Sequence, residues 1–387
     1  KIYTGGLVLQ PAERLKDFLS YAFAKLEEAK SEASKRFNVI DMGVGDPDLP
    51  TEKAIQGKLI TSLGITNAFQ YPSYNGELKL REAISLYFSK RFGVELDPDK
   101  EVPVLIGSKE GIAHLPWAVI SPGEIGAYTN PGYPVYRSAI SLAGGKAVSI
   151  PLKEENSFLP DLNDLPANTK LFFINYPNNP TAATATKDFF LKAVKHAGSN
   201  NYLLVNDAAY SDIYYNESPP SILSVEGAKD SCIEFHSLSK GFSMTGWRIA
   251  FAVGNPNVLS YLSALKKQID SGVFKPLQYA AAEALDNPSL IEIPQKIYHR
   301  RLKLFRGALH KTGLFDKIFA SDATFYIWAK IKETTSSEDF ASELLEKTGI
   351  LALPGNYMGS EGEGYIRFSV TLPDSHLDEA VRRLADL

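Results

Sequence analysis

The chain has 387 residues, 44% hydrophobic and 22% charged, with a formal net charge of −4 at pH 7. That length exceeds the roughly 100 to 200 residues of one ordinary domain, so a large domain with a smaller companion is expected. No basic stripe offers itself to nucleic acid and no run approaches the ~18 apolar residues of a membrane helix, which leaves small molecules or a second copy of the chain as partners.

The opening residues show no charged-then-apolar export segment, although the chain begins with Lys1 rather than Met. With a single cysteine, Cys232, this points to the cytoplasm and to no intrachain disulfide. "RLKDFLSYAFAKLEEAKSEASKRF" (14–37) reads as an early helix. Apolar runs of strand length follow: "VPVLIG" (102–107), "KLFFIN" (170–175), "NYLLVND" (201–207), "CIEFHSL" (232–238) and "RIAFAVG" (248–254). Their hydrophobicity is continuous rather than alternating, so helices must cover both faces, as in a parallel sheet. Helix patterns such as "KEGIAHLPWAVI" (109–120) and "KDFFLKAVKHAGS" (187–199) lie between them, the mark of an α/β fold. Residues 46–285 therefore read as one large α/β domain. Beyond it come a long amphipathic helix, "PQKIYHRRLKLFRGALHKTG" (294–313), strands "ATFYIWAKI" (323–331) and "GYIRFSV" (364–370), and a closing helix, "SHLDEAVRRLADL" (375–387). Residues 1–45 and 286–387 are expected to form a smaller α+β domain from both chain ends.

Ligands of open α/β sheets bind beyond the carboxyl ends of the strands. There the sequence puts Asp207 after "LLVN", Asn178-Asn179-Pro180 after "LFFINYP", Ser239-Lys240 after "CIEFHSL" and Ser108-Lys109 after "VLIG". Taken singly, the aspartate could be a helix cap, the asparagines a turn and the lysine a solvated charge. Cys232 reads as inert packing, and His114 and His236, lacking metal-ligand spacing, as structural histidines. The joint order of these segments, all aimed at one crevice, says more than any one of them.

Over essentially its whole length the chain resembles the fold type I pyridoxal 5′-phosphate (PLP) enzymes, in particular the class I aminotransferases. The motifs that carry the resemblance are "GVGDPDLPT", "YPSYNGELKLREAI", "GSKEGI", "NPGYPVY", "NYPNNPTAA", "VNDAAYSDIYY", "SLSKGFSMTGWR" and "GYIRFSV". It implies that Lys240 forms the Schiff base with the cofactor aldehyde and then moves the substrate's Cα proton, which only a primary amine can do. Asp207 would keep the pyridine nitrogen protonated, while Tyr210 and Asn179 would hydrogen-bond the ring's phenolic oxygen and lower the Schiff-base pKa. Ser108 and Lys109 at a helix start, with Ser237 and Arg248, would hold the phosphate. Tyr133 would stack on the ring, and Tyr71 would reach the phosphate of the neighbouring subunit in a homodimer. Arg367, helped by the backbone of Gly45, would bind the substrate α-carboxylate, and Asn179, Lys109 and Tyr74 complete the expected substrate contacts.

Longer phrases, among them "IGSKEGIAHLP", "EFHSLSKGFSMTGWRIAFAVGN" and "DSGVFKPLQYAA", look most like bacterial LL-diaminopimelate aminotransferases. That likeness implies conversion of tetrahydrodipicolinate to LL-diaminopimelate with glutamate as donor. The chain departs from the usual pattern in "NPTAA", in "SKGFSM" and in Tyr74, where the plant branch has an acidic residue. These departures keep a broad-specificity, alanine-type or aspartate-type transaminase open, as well as a β-lyase of the same fold. A PLP-binding regulator is the remaining rival, disfavoured by the absence of a helix-turn-helix segment and by the acidic charge.

Overall fold

Strands at the centre of this chain send alternate side chains into two separate apolar cores. The computed structural model describes residues 10–18, 22–319, 322–332 and 335–387. Its strands in chain order are β1 (Ile40–Asp41), β2 (Val104–Leu105), β3 (Ile125–Asn130), β4 (Lys146–Pro151), β5 (Thr169–Ile174), β6 (Leu203–Asp207) and β7 (Cys232–Ser237). They continue with β8 (Ala250–Gly254), β9 (Phe315–Ile318), β10 (Tyr326–Ile331), β11 (Ile350–Leu351), β12 (Leu353–Pro354) and β13 (Tyr365–Ser369). In the large sheet Phe172, Ile174 and Leu204 face helices Leu78–Phe92, Lys187–Asn200 and Lys275–Asp286, whereas Phe173, Val205 and Phe235 face helices Ser108–Val119 and Pro256–Lys266. Burial on both faces is the reason these runs read as continuously apolar.

The sheet order is β2-β8-β7-β6-β5-β3-β4, with parallel pairing from β4 through β7. β8 runs antiparallel to both β7 and β2, with Ser237 opposite Ala250. The returning strand keeps residues 238–249, and hence Lys240 and Arg248, at the carboxyl end of β7. Two strands of this sheet were not evident in the sequence. β3 is interrupted by Gly126 and Thr129, and β4 is an edge strand with exposed positions. β2 is shorter than "VPVLIG" suggests, at two residues.

A second, antiparallel sheet has the order β12-β13-β10-β9. Ile327, Ile366 and Phe368 pack there with Tyr298, Leu302 and Phe305 of helix Glu292–Thr312 and Leu377 of helix Asp374–Ala385. β1 pairs in parallel with β11, joining the amino-terminal part of the chain to the carboxyl-terminal part. Of the early helix expected over 14–37, the described helix is Ala22–Ala33, whose Leu26 packs with Leu345, Leu351 and Leu353. Residues 1–9 and 19–21, which the sequence reading included, lie outside the described residues. After β1 the chain crosses to the edge of the large sheet, and buried Arg301 holds this crossing by donating to Asp48 (2.7 Å) and Asp374 (2.8 Å). Among the described residues no helix is long and apolar enough to cross a membrane.

Candidate active site

Five segments that leave the sheet at its carboxyl edge, after β2, β3, β5, β6 and β7, meet the crossing from β1 and the strands β10 and β13 around one cavity of about 360 Å³. Its lining includes Gly45, Ser108, Lys109, Tyr133, Asn179, Asp207, Tyr210, Ser237, Lys240, Arg248 and Arg367, all named from the sequence. A larger opening, of about 650 Å³, lies between Arg91, Thr184–Lys187 and Asn216–Pro220 and holds none of them.

The loop after β2 turns at Gly107, whose φ of +76° favours glycine and whose Cβ, if present, would sit 2.1 Å from Arg248 Nη2. Glu110 braces this turn, accepting from the Ile106 N–H (3.1 Å) and pairing with His114 Nδ1 (2.8 Å) and buried Lys266 (3.3 Å). The turn delivers Ser108 and Lys109 to the start of a twelve-residue helix, where free N–H groups and the helix dipole favour an anion. Arg248, itself at φ +54°, donates to Thr245 O (2.6 Å) and packs its guanidinium against Gly107. Ser237 caps the turn Leu238–Gly241 by accepting from Ser239 N–H (3.2 Å).

Lys240 sits on that turn and donates from Nζ to Gly45 O at 2.8 Å. Burial lowers its pKa to about 8, against the pull of Asp46 and with the repulsion of Arg367 and Arg248 behind it. Asp207, at the end of β6, is buried and accepts from the Tyr136 hydroxyl (2.7 Å) and the Ala209 N–H (3.2 Å). Burial raises its pKa to about 6 in spite of those bonds. Asn175 Nδ2 donates to Asp207 O, and its Oδ1 accepts from Asn179 N–H (2.8 Å), so the "FINYPNN" segment is tied to the end of β6.

Arg367 comes from β13, buried, with Nη1 donating to Asn179 Oδ1 (2.7 Å) and Nη2 to Gly43 O. Its buried Nε–H has no acceptor. The Tyr210 hydroxyl meets the Tyr326 hydroxyl at 2.9 Å. Tyr133 lies edge-on to Tyr136 with ring centroids 5.8 Å apart. Tyr71 and Tyr74 are exposed and do not line the cavity of the single chain. Cys232 is fully buried in β7 with its thiol pushed up to about 12, and buried His236 stacks on Phe251 at 5.4 Å.

Sequence reasoning missed Tyr136, Asn175 and Tyr326. Tyr136 stands in "NPGYPVY" beside the tyrosine that was named, and Asn175 closes a run read for its apolar residues; both positions offered a signal. Tyr326 lay inside a run read as core strand and offered none. The lining combines three chemistries: helix-end N–H groups with an arginine and hydroxyls, a buried carboxylate, and a primary amine of lowered pKa. That set suits a phosphorylated nitrogen heterocycle carrying a carbonyl, and the orphaned guanidinium N–H suits a carboxylate ligand.

The model of the family described as aminotransferase class I and II matches residues 38–384. Among curated proteins, the LL-diaminopimelate aminotransferase of Halothermothrix orenii is 45% identical over 97% of this chain and 98% of its own. The protein of the same name from Aquifex aeolicus is 46% identical with the same coverage. Among solved structures, substrate-bound BacF from Bacillus subtilis superposes with a TM-score of 0.93 at 34% identity, covering 98% of each chain.

Proposed function

The chain belongs to the class I and II aminotransferases, and from that premise we propose that it exchanges an amino group between glutamate and tetrahydrodipicolinate to give 2-oxoglutarate and LL-diaminopimelate. It is a fold type I enzyme and depends on PLP. The observation that carries the substrate is identity of 45–46% along nearly the full length of relatives bearing that one name. The broad-specificity and β-lyase alternatives are correspondingly not favoured. Adding LL-diaminopimelate or glutamate to the PLP-loaded enzyme should bleach its visible band, and meso-diaminopimelate should not. Bleaching by glutamate, aspartate or alanine but not by LL-diaminopimelate would keep the aminotransferase and discard this substrate.

When bound, PLP supplies an aldehyde that takes up the amino group and a ring that accepts the Cα electron pair. In our reading Lys240 anchors the cofactor and its Nζ, kept partly neutral by burial, takes the Cα proton. Asp207 holds the proton on the ring nitrogen, and its bonds from Tyr136 and the Ala209 N–H fix the carboxylate's direction. Asn179 commits Oδ1 to Arg367, which leaves its Nδ2 as the donor for the phenolic oxygen beside Tyr210. Ser108, Lys109, Ser237 and Arg248 would hold the phosphate, and Tyr133 would supply an aromatic contact to the ring.

Arg367 and the Gly45 backbone take the substrate α-carboxylate, with Lys109 toward the distal group; Tyr74, outside the cavity of the single chain, would meet that group only from the other copy of a dimer. Arg367→Ala should raise KM for every amino acid tested by on the order of 10 to 100-fold, as expected for a lost charged hydrogen bond. An unchanged KM would mean that the carboxylate binds elsewhere.

A homodimer is part of the proposal, with Tyr71 completing the phosphate site of the other copy. Its support is the exposure of large apolar side chains along the same stretch of chain: Ile60, Leu63 and Phe69 are exposed, Tyr71 is 86% exposed, and Phe69 pairs with exposed Phe274 at 6.1 Å. Sedimentation should give twice the chain mass, and Tyr71→Phe should weaken PLP binding without changing that mass; a monomer with full PLP affinity would refute it. A division at 45/46 and 285/286 is likewise proposed, supported by the separate cores of the two sheets and the β1–β11 pairing.

A further inference from the structure

Tyr326 is 2% exposed, and three of the residues given roles above touch it. Its hydroxyl lies 2.9 Å from the Tyr210 hydroxyl. Its ring lies beneath the Arg367 guanidinium, 4.2 Å from centroid to Cζ. Gly45 is pressed so closely on the hydroxyl that a Cβ there would stand 1.9 Å from it, and the carbonyl of that same glycine accepts from Lys240. The register of the small sheet explains the arginine contact. Arg367 on β13 is opposite Trp328 on β10, which makes Tyr326 its diagonal neighbour on the same face.

The ring alone would satisfy packing. Phe325 and Tyr210 meet it edge-on at 4.9 and 5.5 Å, contacts that a phenylalanine would also make. The hydroxyl needs a different reason, because a buried hydroxyl costs free energy unless it is bonded. Each tyrosine hydroxyl has one proton and two lone pairs. In a pair, one donates and the other is left with a free proton. If Tyr326 donates to Tyr210, the Tyr210 proton is released to point into the cavity.

We infer that Tyr326 is a positioning residue: its hydroxyl orients Tyr210 as a donor to the cofactor's phenolic oxygen, and its ring face holds Arg367 in place for the substrate carboxylate. The inference rests on the roles proposed above for Tyr210 and Arg367. One side chain from the small sheet thereby sets a cofactor contact and a substrate contact together.

The test uses the PLP-loaded enzyme and reads the pH midpoint of its visible absorbance, beside KM for glutamate and circular dichroism as a control of folding. Tyr210→Phe should raise the midpoint, since a donor to the deprotonated form is lost. Tyr326→Phe should raise it by about 0.5 to 1 unit, with KM for glutamate changed less than about twofold because the ring remains. In the Tyr210→Phe background it should add nothing, the mark of two groups acting through one contact. Tyr326→Leu should in addition raise KM by about 3 to 10-fold through the lost cation–π contact; should that variant misfold, Tyr326→Phe decides alone. A midpoint moved by Tyr210→Phe but not by Tyr326→Phe overturns the inference and leaves the role of Tyr210 standing. Fully additive shifts overturn it as well, and no shift in either variant overturns both readings.

Discussion

Lys240→Ala should abolish steady-state transamination, with a loss of at least about 10⁴-fold, because in the proposed mechanism one amine both anchors the cofactor and moves the proton. Coupled-assay turnover with glutamate and an oxo acid is the measurement, and a retained rate would remove Lys240 from the mechanism. The fold should survive, since in the cofactor-free protein this lysine costs stability. Its folded pKa of about 8 lies below the ordinary value of 10.5, so between these values the unfolded chain holds the proton more tightly. The penalty is therefore complete below about pH 8 and fades as the pH rises through 10.5. Lys240 keeps some contact with solvent, which trims the gain. Lys240→Met, which fills the space, should stabilise the cofactor-free protein at pH 7 by about 1 to 2 kcal/mol, and by almost nothing near pH 11. A Met variant less stable at pH 7 would show that the bond to Gly45 O outweighs the desolvation.

The parts of this site that were legible in the sequence are those where residue type and strand end coincide. Asp207 and Lys240 follow β6 and β7 directly, and the rule that ligands bind at carboxyl ends of strands needs no knowledge of packing. The direction of β8 was not legible, because a run buried on both faces looks the same whichever way it points. β3 and β4 were missed for the opposite reason, their apolar pattern being diluted by Gly126 and by the wet edge of the sheet. Tyr326 stood furthest from view, 116 residues from the hydroxyl it meets. Only the docking of the small sheet against the end of the large one brings such a pair together, and no local pattern encodes it.

Asp207→Asn should lower kcat by on the order of 10² to 10³-fold, the usual loss when one preorganised group facing developing charge is removed, with KM for glutamate little changed because Arg367 is untouched. The replacement preserves shape and can still accept from Tyr136, but its Nδ2 cannot accept from the Ala209 N–H, so the charge and that weaker 3.2 Å bond are altered together. In the cofactor-free protein that charge is costly: burial raises the Asp207 pKa from 3.8 to about 6. A carboxyl raised in this way adds stability below the unfolded value and loses it as the pH rises through the folded one, so at pH 7 the whole penalty is present. Asp207→Asn without cofactor should then be more stable than the parent at pH 7 by about 1 to 3 kcal/mol, the gain narrowing as the pH falls below 6. Opposite signs for the two readouts, slower with PLP and more stable without it, separate a carboxylate kept for the cofactor from one kept for the fold. If Asp207→Asn instead destabilised the cofactor-free protein and left kcat within about threefold, the bond from Tyr136 would be structural and the ring nitrogen would find its counter-charge elsewhere.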